Sequence, residues 1–71
     1  MNVIYKGEKV QKSYEDICRD LRINPDSNFV KVTNRGTITF TCGKPDEVRN
    51  LLSMCMYAGY KPAKSLLEAC N

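Results

Sequence analysis

The stretch FVKVTNRGTITFTC, residues 29–42, carries the clearest structural pattern in this chain and guides the interpretation of the rest. Val30 and Val32, and then Ile38 and Phe40, alternate with lysine and threonine, which is the pattern of strands with one buried face. The three residues between the two runs end in glycine, which adopts the positive φ of a short hairpin loop without strain. The pattern therefore predicts an antiparallel hairpin with a threonine-rich face toward water.

Three helices are predicted around this hairpin, because apolar residues repeat at i, i+3, i+4 and i+7 in three places. The three sets are Tyr14, Ile17, Cys18 and Leu21; Val48, Leu51, Leu52, Cys55 and Ala58; and Ala63, Leu66, Leu67 and Cys70. Ser13 is the predicted N-cap of the first helix. Gly59 is expected to end the second helix, which covers 44–59, and Lys61-Pro62 to begin the third.

Residues 2–12 contain strand-forming side chains around Gly7 and are predicted to form either a short hairpin or one strand followed by a loop. The element order is then β(β)-α-β-β-α-α. We expect an α+β fold of two layers, with three helices on one face of an antiparallel sheet of three or four strands. At 71 residues, the chain is expected to form a single compact domain over 1–71. The predicted core comprises Val3 or Ile4, Ile17, Leu21, Val30, Val32, Ile38, Phe40, Val48, Leu51, Leu52, Leu66 and Leu67.

The four cysteines, Cys18, Cys42, Cys55 and Cys70, are expected to be reduced and packed in the core. Each falls on the apolar side of its local pattern, and no two are close enough in sequence to supply paired zinc ligands. The chain also shows no apolar run long enough for a secretion signal or a membrane span. We therefore expect a cytoplasmic protein with no disulfide, no metal and no membrane contact.

The composition argues against an enzyme. Histidine is absent from the sequence, which removes the most common general base and metal ligand. The acidic pairs Glu15-Asp16 and Asp46-Glu47 complement helix dipoles, since neighbouring side chains on a helix diverge and do not share a site. No glycine-rich phosphate motif occurs in the chain. We expect no catalytic residue and no cofactor.

Nucleic-acid binding is the alternative function. Eleven basic residues are interspersed with eight acidic ones, for a net charge of +3, whereas a dedicated nucleic-acid binder concentrates its bases on one face. The water-facing side of the hairpin nevertheless combines aromatic, basic and hydroxyl side chains, a mixture suited to contacts with phosphates and bases. The candidate residues for this alternative are Lys6, Lys9, Lys12, Phe29, Lys31 and Arg35.

Protein binding is the leading prediction, because a compact chain without a catalytic set acts by occupying a surface. Specifically, the sequence favours a non-catalytic regulator or inhibitor of a larger macromolecule, a type common in viruses and mobile elements. Tyr57 lies on the polar face of the second helix, where an exposed tyrosine provides a binding anchor of large area. The candidate partner-binding residues are Lys31, Arg35, Thr37, Thr39, Met54, Tyr57 and Tyr60.

The second helix has an unusually wide apolar surface. Met54 and Met56 extend its apolar arc to roughly 200°, whereas a helix on one sheet face needs a stripe of about 100° or somewhat more. Two interpretations stay open. Either the third helix covers the excess, or one methionine edge faces a partner or a second copy, so that a homodimer forms through helix 44–59.

Overall fold

The computed structural model describes residues 1–70, which form four strands, a 3₁₀ helix and three α-helices. In chain order they are β1 (Asn2–Tyr5), β2 (Glu8–Gln11), α1 (Tyr14–Leu21), the 3₁₀ helix (Pro25–Ser27), β3 (Val30–Val32), β4 (Ile38–Phe40), α2 (Pro45–Ala58) and α3 (Lys64–Ala69). The α+β class and the predicted element order are confirmed. The open choice over residues 2–12 is decided for the hairpin.

Each hairpin is closed by residues suited to its turn. Lys6 and Gly7 connect β1 to β2 with φ values of 51° and 83°, the two positive values that a type I′ turn requires. Gly36, also at φ 83°, lies in the loop between β3 and β4. The backbone at Gly36 crosses β1 so closely that an added Cβ would lie 3.2 Å from the amide nitrogen of Ile4. The glycine therefore serves both the loop and the contact between the hairpins.

Residues 59–63, which we call the bridging segment, join the two hairpins. Lys61 donates its N–H to the carbonyl of Ile4 at 3.3 Å, and its own carbonyl accepts the N–H of Ile38 at 2.9 Å. Ala63 donates its N–H to the carbonyl of Ile38 at 2.7 Å. The four strands thus form two two-stranded sheets that are linked by a fifth, extended segment.

The predicted start of the third helix at Lys61-Pro62 is wrong. These residues are extended within the bridging segment, and α3 begins at Lys64, after Ala63 with φ −73° and ψ 159°. Proline alone does not decide this, because the same pair at Lys44-Pro45 begins α2. The physical reason is that the extended conformation gives the backbone of Lys61 hydrogen-bond partners on both hairpins.

The core lies between the sheet layer and the helices. Its buried apolar side chains are Val3, Ile17, Cys18, Leu21, Val30, Ile38, Val48, Leu51, Cys55, Tyr60, Ala63 and Leu66. Most of the predicted core is therefore buried, and Ile4, Val32, Phe40 and Leu52 are half-buried around it. Ser13 caps α1 as predicted, since its hydroxyl accepts the N–H of Asp16 at 3.1 Å.

Two predicted core residues are on the surface. Leu67 is 46% exposed, because α3 has only six residues and turns Leu66 inward in its place. Cys42 is exposed, because β4 ends at Phe40 and the inward-outward alternation of the strand no longer holds two residues later. The expectation that all four cysteines pack in the core is therefore wrong for this thiol.

The cysteines are unpaired, as predicted. Cys18 and Cys55 are buried, and Cys70 is half-buried. Burial raises the pKa of the Cys55 thiol to about 12, so that this thiol is neutral and unreactive near neutral pH. Across residues 1–70, no helix has both the length and the apolar character that crossing a bilayer requires.

Candidate binding surfaces

The fold separates charges that are interspersed along the sequence. All but one of the eight acidic residues lie in α1, the 3₁₀ helix, α2 or α3, and the exception is Glu8 in β2. Three of these acids are paired with bases: Asp20 with Lys12, Asp16 with Arg19, and Asp46 with Arg49. Five of the eight bases that form no ion pair within residues 1–70 lie in the two hairpins or in the bridging segment. The sheet side of the molecule is therefore basic.

We define the basic sheet face by four exposed residues, Lys9, Lys31, Arg35 and Lys61. The strand neighbours of the first two lysines, Val10 and Val30, pack into the core, so both lysines point away from the helices. Lys61 follows the buried Tyr60 in the bridging segment and points outward by the same alternation. Arg35 lies in the exposed loop between β3 and β4.

The threonines of this hairpin are less available than predicted. Thr37 is half-buried, and its hydroxyl shares a hydrogen bond with that of Thr33 at 2.6 Å. Thr39 is also half-buried, and its hydroxyl shares one with Ser65 of α3 at 2.6 Å. The structure thus brings Lys31 and Arg35 to one exposed face but engages both predicted threonine hydroxyls within the fold.

Tyr60 does not form an exposed anchor, contrary to prediction. Its side chain is only 2% exposed, and its ring lies 4.9 Å from that of Tyr5, centroid to centroid. The Tyr60 hydroxyl donates to the carboxylate of Asp20 in α1. The residue is buried because the bridging segment passes between the hairpins and turns alternate side chains toward the helices.

Lys12 belongs to the same internal cluster. The nucleic-acid alternative required this lysine to be free to bind phosphate, and it is not. Its ammonium lies 2.9 Å from Asp20 and 3.9 Å above the centre of the Tyr5 ring. The hydrogen bonds from Tyr60 and Lys12 lower the pKa of Asp20, and the Asp20 carboxylate raises the pKa of Lys12. Burial, together with the bond to Asp20, raises the pKa of Tyr60 to about 12.

Of the three remaining nucleic-acid candidates, only Phe29 differs from expectation. Phe29 packs against Phe40 with ring centres 6.0 Å apart and lines a groove on the helical side, so it offers no stacking surface beside Lys31. Lys6 is exposed in the first turn, and its ammonium lies 5.2 Å from the centre of the Tyr5 ring. Lys9 is exposed as the alternative required.

Helix α2 presents Tyr57 on the side opposite the core. Tyr57 is 82% exposed, and at 100° per residue it points away from the buried Val48 and Leu51. Met54 is half-buried and packs against the core, whereas Met56 on the other edge is 65% exposed. The predicted partner-binding residues therefore occupy separate surfaces, with Tyr57 on the outward side of α2 and Met54 within the groove described next.

A groove of about 690 Å³ lies between the end of α1, the loop that carries the 3₁₀ helix, and α2. Apolar side chains form its floor: Leu21, Ile23, Phe29, Leu51 and Met54. Polar side chains surround it: Arg22, Asn24, Ser27, Thr41, Cys42, Glu47, Asn50 and Ser53. Sequence reasoning missed this groove, because its lining comes from segments that periodicity assigns to separate elements. Phe29 and Met54 are the two lining residues that could have indicated the groove, but the sequence assigned Phe29 to the hairpin face and Met54 to a partner-binding edge of the second helix.

No protein-family model, curated protein or solved structure matches this chain. Its function is therefore inferred from these surfaces alone.

Proposed function

We propose that this chain is a non-catalytic binding module that regulates or inhibits a larger protein by docking the basic sheet face on an acidic surface. One observation carries the proposal: the bases of this face form no ion pair within residues 1–70, whereas nearly all acids lie on the helices. Such separation orients the molecule toward an anionic partner and speeds their encounter.

A protein partner fits this face better than a nucleic acid. Single-stranded nucleic acids are held by exposed aromatic side chains beside the basic residues. Here Tyr60 is buried, Phe29 faces the groove, and Tyr57 lies on the helical side. A two-stranded ribbon can enter the major groove of a duplex, but only two of the four basic residues, Lys31 and Arg35, share one. Charge complementarity with an acidic protein needs neither feature.

The test compares two variants that lose the same amount of positive charge. The first removes the basic sheet face with Lys9→Gln, Lys31→Gln, Arg35→Gln and Lys61→Gln. The second removes bases from the helical side with Arg19→Gln, Lys44→Gln, Arg49→Gln and Lys64→Gln. Each variant and the wild-type chain are immobilised, exposed to extract from the source cell, and washed at increasing salt after nuclease treatment.

We expect the wild-type chain and the helical-side variant to retain the same protein partner, and the sheet-face variant to lose it. Elution at moderately raised salt is expected, because exposed charges are screened over about 8 to 10 Å at physiological ionic strength. Equal retention by both variants would contradict the proposal, as would a partner that the helical-side variant loses. Circular dichroism spectra of the variants check that both remain folded.

A nucleic-acid partner is the second candidate, favoured by the same charge separation. Fluorescence anisotropy with labelled single-stranded RNA, single-stranded DNA and duplex DNA tests it directly. Binding through four bases would give affinity that falls with salt at a log–log slope of roughly −3 to −4. That slope, together with its loss in the sheet-face variant, would favour the second candidate over the first.

The cytoplasm is the proposed location of this activity. Four unpaired thiols, one of them exposed at Cys42, suit a reducing compartment.

A further inference from the structure

We propose that the groove between α1 and α2 binds a medium-chain carboxylic acid, with the alkyl chain on the apolar floor and the carboxylate on Arg22. This site is separate from the basic sheet face and does not depend on the function proposed for it. The inference rests on three observations: the size and lining of the groove, the charges at its rim, and the backbone conformation of Arg22.

The groove has the dimensions and chemistry of a small-molecule site. Its volume of about 690 Å³ lies within the usual range of ligand pockets, which is about 300–1,000 Å³. The floor combines aliphatic side chains with Phe29 and Met54, and methionine adapts its shape to an irregular ligand. The rim is polar and mostly uncharged. A ligand that fits is therefore mainly apolar, with few polar groups.

The rim carries one charge of each sign, and the positive one is free to bind a ligand. Arg22 and Glu47 are the two charged side chains among the described residues that line the groove. The Glu47 carboxylate accepts the backbone N–H of Lys44 at 3.0 Å, which commits it to the start of α2. Arg22 is exposed and forms no ion pair within residues 1–70. A guanidinium with free donors at the edge of an apolar floor suits a carboxylate, which it can bind through two hydrogen bonds.

Arg22 occupies a backbone position that favours glycine. It follows α1 with φ 60° and ψ 43°, and its N–H donates to the carbonyl of Arg19 at 3.1 Å. Ile23 donates to the carbonyl of Cys18 at 2.9 Å, which completes a Schellman motif. The left-handed residue of this motif is usually glycine, because a side chain there is strained. Arginine is thus unfavourable for the helix end, but it places a basic residue in the lining of the groove.

The test titrates the folded chain with sodium octanoate while amide chemical shifts are followed by NMR. We expect saturable shifts at groove residues such as Ile23, Phe29 and Met54, and none on the basic sheet face. Binding should tighten about fourfold per methylene from hexanoate to decanoate, as expected for burial of each CH₂ group. Octanamide, which has the same chain without the charge, should bind at least tenfold more weakly.

Arg22→Gly separates binding from folding. This variant should be at least as stable as the wild-type chain, because glycine relieves the left-handed strain, yet it should lose at least tenfold in octanoate affinity. Asn28→Gly is the matched control, since Asn28 has φ 55° and does not line the groove; it should keep wild-type affinity. Lys31→Gln removes one charge from the basic sheet face and should also keep it.

Three results would overturn the proposal: no saturable shifts with any chain length, equal binding of octanoate and octanamide, or wild-type affinity in Arg22→Gly. Failure of the protein-partner proposal would leave this one intact, and the reverse also holds. The sheet-face variant should bind octanoate normally, and Arg22→Gly should retain the protein partner. The two sites therefore give independent readouts.

Discussion

Tyr60 shows how one hydroxyl ties three parts of the chain together. It belongs to the bridging segment, donates to Asp20 of α1, and shares that carboxylate with Lys12, which follows β2. The ring is buried against Tyr5 of β1. A hydrogen bond to a charged group typically contributes about 1.5–3 kcal/mol. Because Asp20 is partly exposed, water can replace some of that contribution if the hydroxyl is removed.

Tyr60→Phe should lower the free energy of unfolding by about 1–2 kcal/mol, since it keeps the ring and removes only the donor. Urea unfolding followed by circular dichroism measures the loss. Tyr57→Phe is the matched control, because Tyr57 is 82% exposed and should change stability by less than about 0.5 kcal/mol. Equal effects of the two substitutions would mean that the Tyr60–Asp20 bond does not contribute to stability.

The cluster of Asp20, Tyr60 and Lys12 should make the free energy of unfolding fall at both ends of the pH range. Tyr60 and Lys12 lower the pKa of Asp20 in the folded chain. The contribution of Asp20 to the free energy of unfolding is therefore complete above the usual aspartate pKa of about 4, and it is lost as the pH falls through the pKa of Asp20 in the folded chain. The pKa of Tyr60 is raised from 10.0 to about 12, so stability falls as the pH rises through that interval. The raised pKa of Lys12 acts in the same direction at alkaline pH.

Urea unfolding from pH 2 to pH 12 tests these signs. Asp20→Asn should flatten the acid limb, and Tyr60→Phe should flatten part of the alkaline limb. An alkaline limb that is unchanged in Tyr60→Phe would assign the loss to other groups.

The sequence predicts the exposure of some side chains correctly and of others wrongly, and the reason depends on where each residue lies along the chain. Tyr57 is exposed as its place on the polar helix face predicts. Tyr60 follows Gly59, where the helical period ends, so no pattern indicates which way its ring points. Arg22 likewise follows α1, and nothing in its neighbours along the chain indicates a groove. Tyr60 and Arg22 both lie where a periodic segment has just ended, so periodicity does not predict their environment.

At the scale of elements, the contact between the two hairpins depends on Gly36. Gly7 and Gly36 share the same φ of 83°, but a Cβ at Gly7 would meet nothing within 4 Å, whereas one at Gly36 would lie 3.2 Å from two backbone atoms of β1. The two glycines therefore form a natural pair for separating backbone strain from steric contact.

Gly7→Ala should cost about 1–2 kcal/mol of stability through left-handed strain alone. Gly36→Ala should cost about 1–3 kcal/mol more, because the added methyl also pushes the loop away from β1. Chemical denaturation of both variants provides the comparison. If the two substitutions cost the same, the loop shifts without loss and the hairpins are less tightly joined than the structure indicates.

Strands and helices with regular periods were predictable, and the bridging segment was not. Alternation in residues 29–42 identified β3 and β4, and the helical spacing identified α1 and α2. The segment 59–63 is too short for its sequence to establish a period, and its proline suggested a helix start. Its conformation is set by backbone partners on Ile4 and Ile38, which are distant in sequence. Local propensity gives no information about such partners.

For the whole molecule, the bridging segment should make unfolding cooperative. The amides of Ile4 and Ile38 donate outside their own hairpins, to Gly36 and Lys61 respectively. We expect these amides to exchange with solvent as slowly as amides paired within the hairpins, because both are exposed only by global unfolding. Native-state hydrogen exchange by NMR measures this. Fast exchange at these two amides alone would show that the hairpins separate before the molecule unfolds.

The separation of acidic from basic residues also becomes visible only in the whole molecule. Along the chain, acids and bases are interspersed, and the sequence predicted a basic face only around the hairpin that carries Lys31 and Arg35. The fold moves the helical acids to one side and leaves Lys9, Lys31, Arg35 and Lys61 on the other. The individual charges could be read from the sequence, but their separation required the order in which the strands and the bridging segment lie.

The late position of the bridging segment has a consequence for synthesis. The ribosome makes both hairpins, α1 and α2 before residues 59–63, so the layer that supports the core stays open until the bridging segment emerges. Pairings between distant residues form slowly, because the chain loop must close before they contribute. The nascent chain should therefore resist protease only after residues 59–63 have left the ribosome, and its unpaired hairpin edges would meanwhile be available to chaperones.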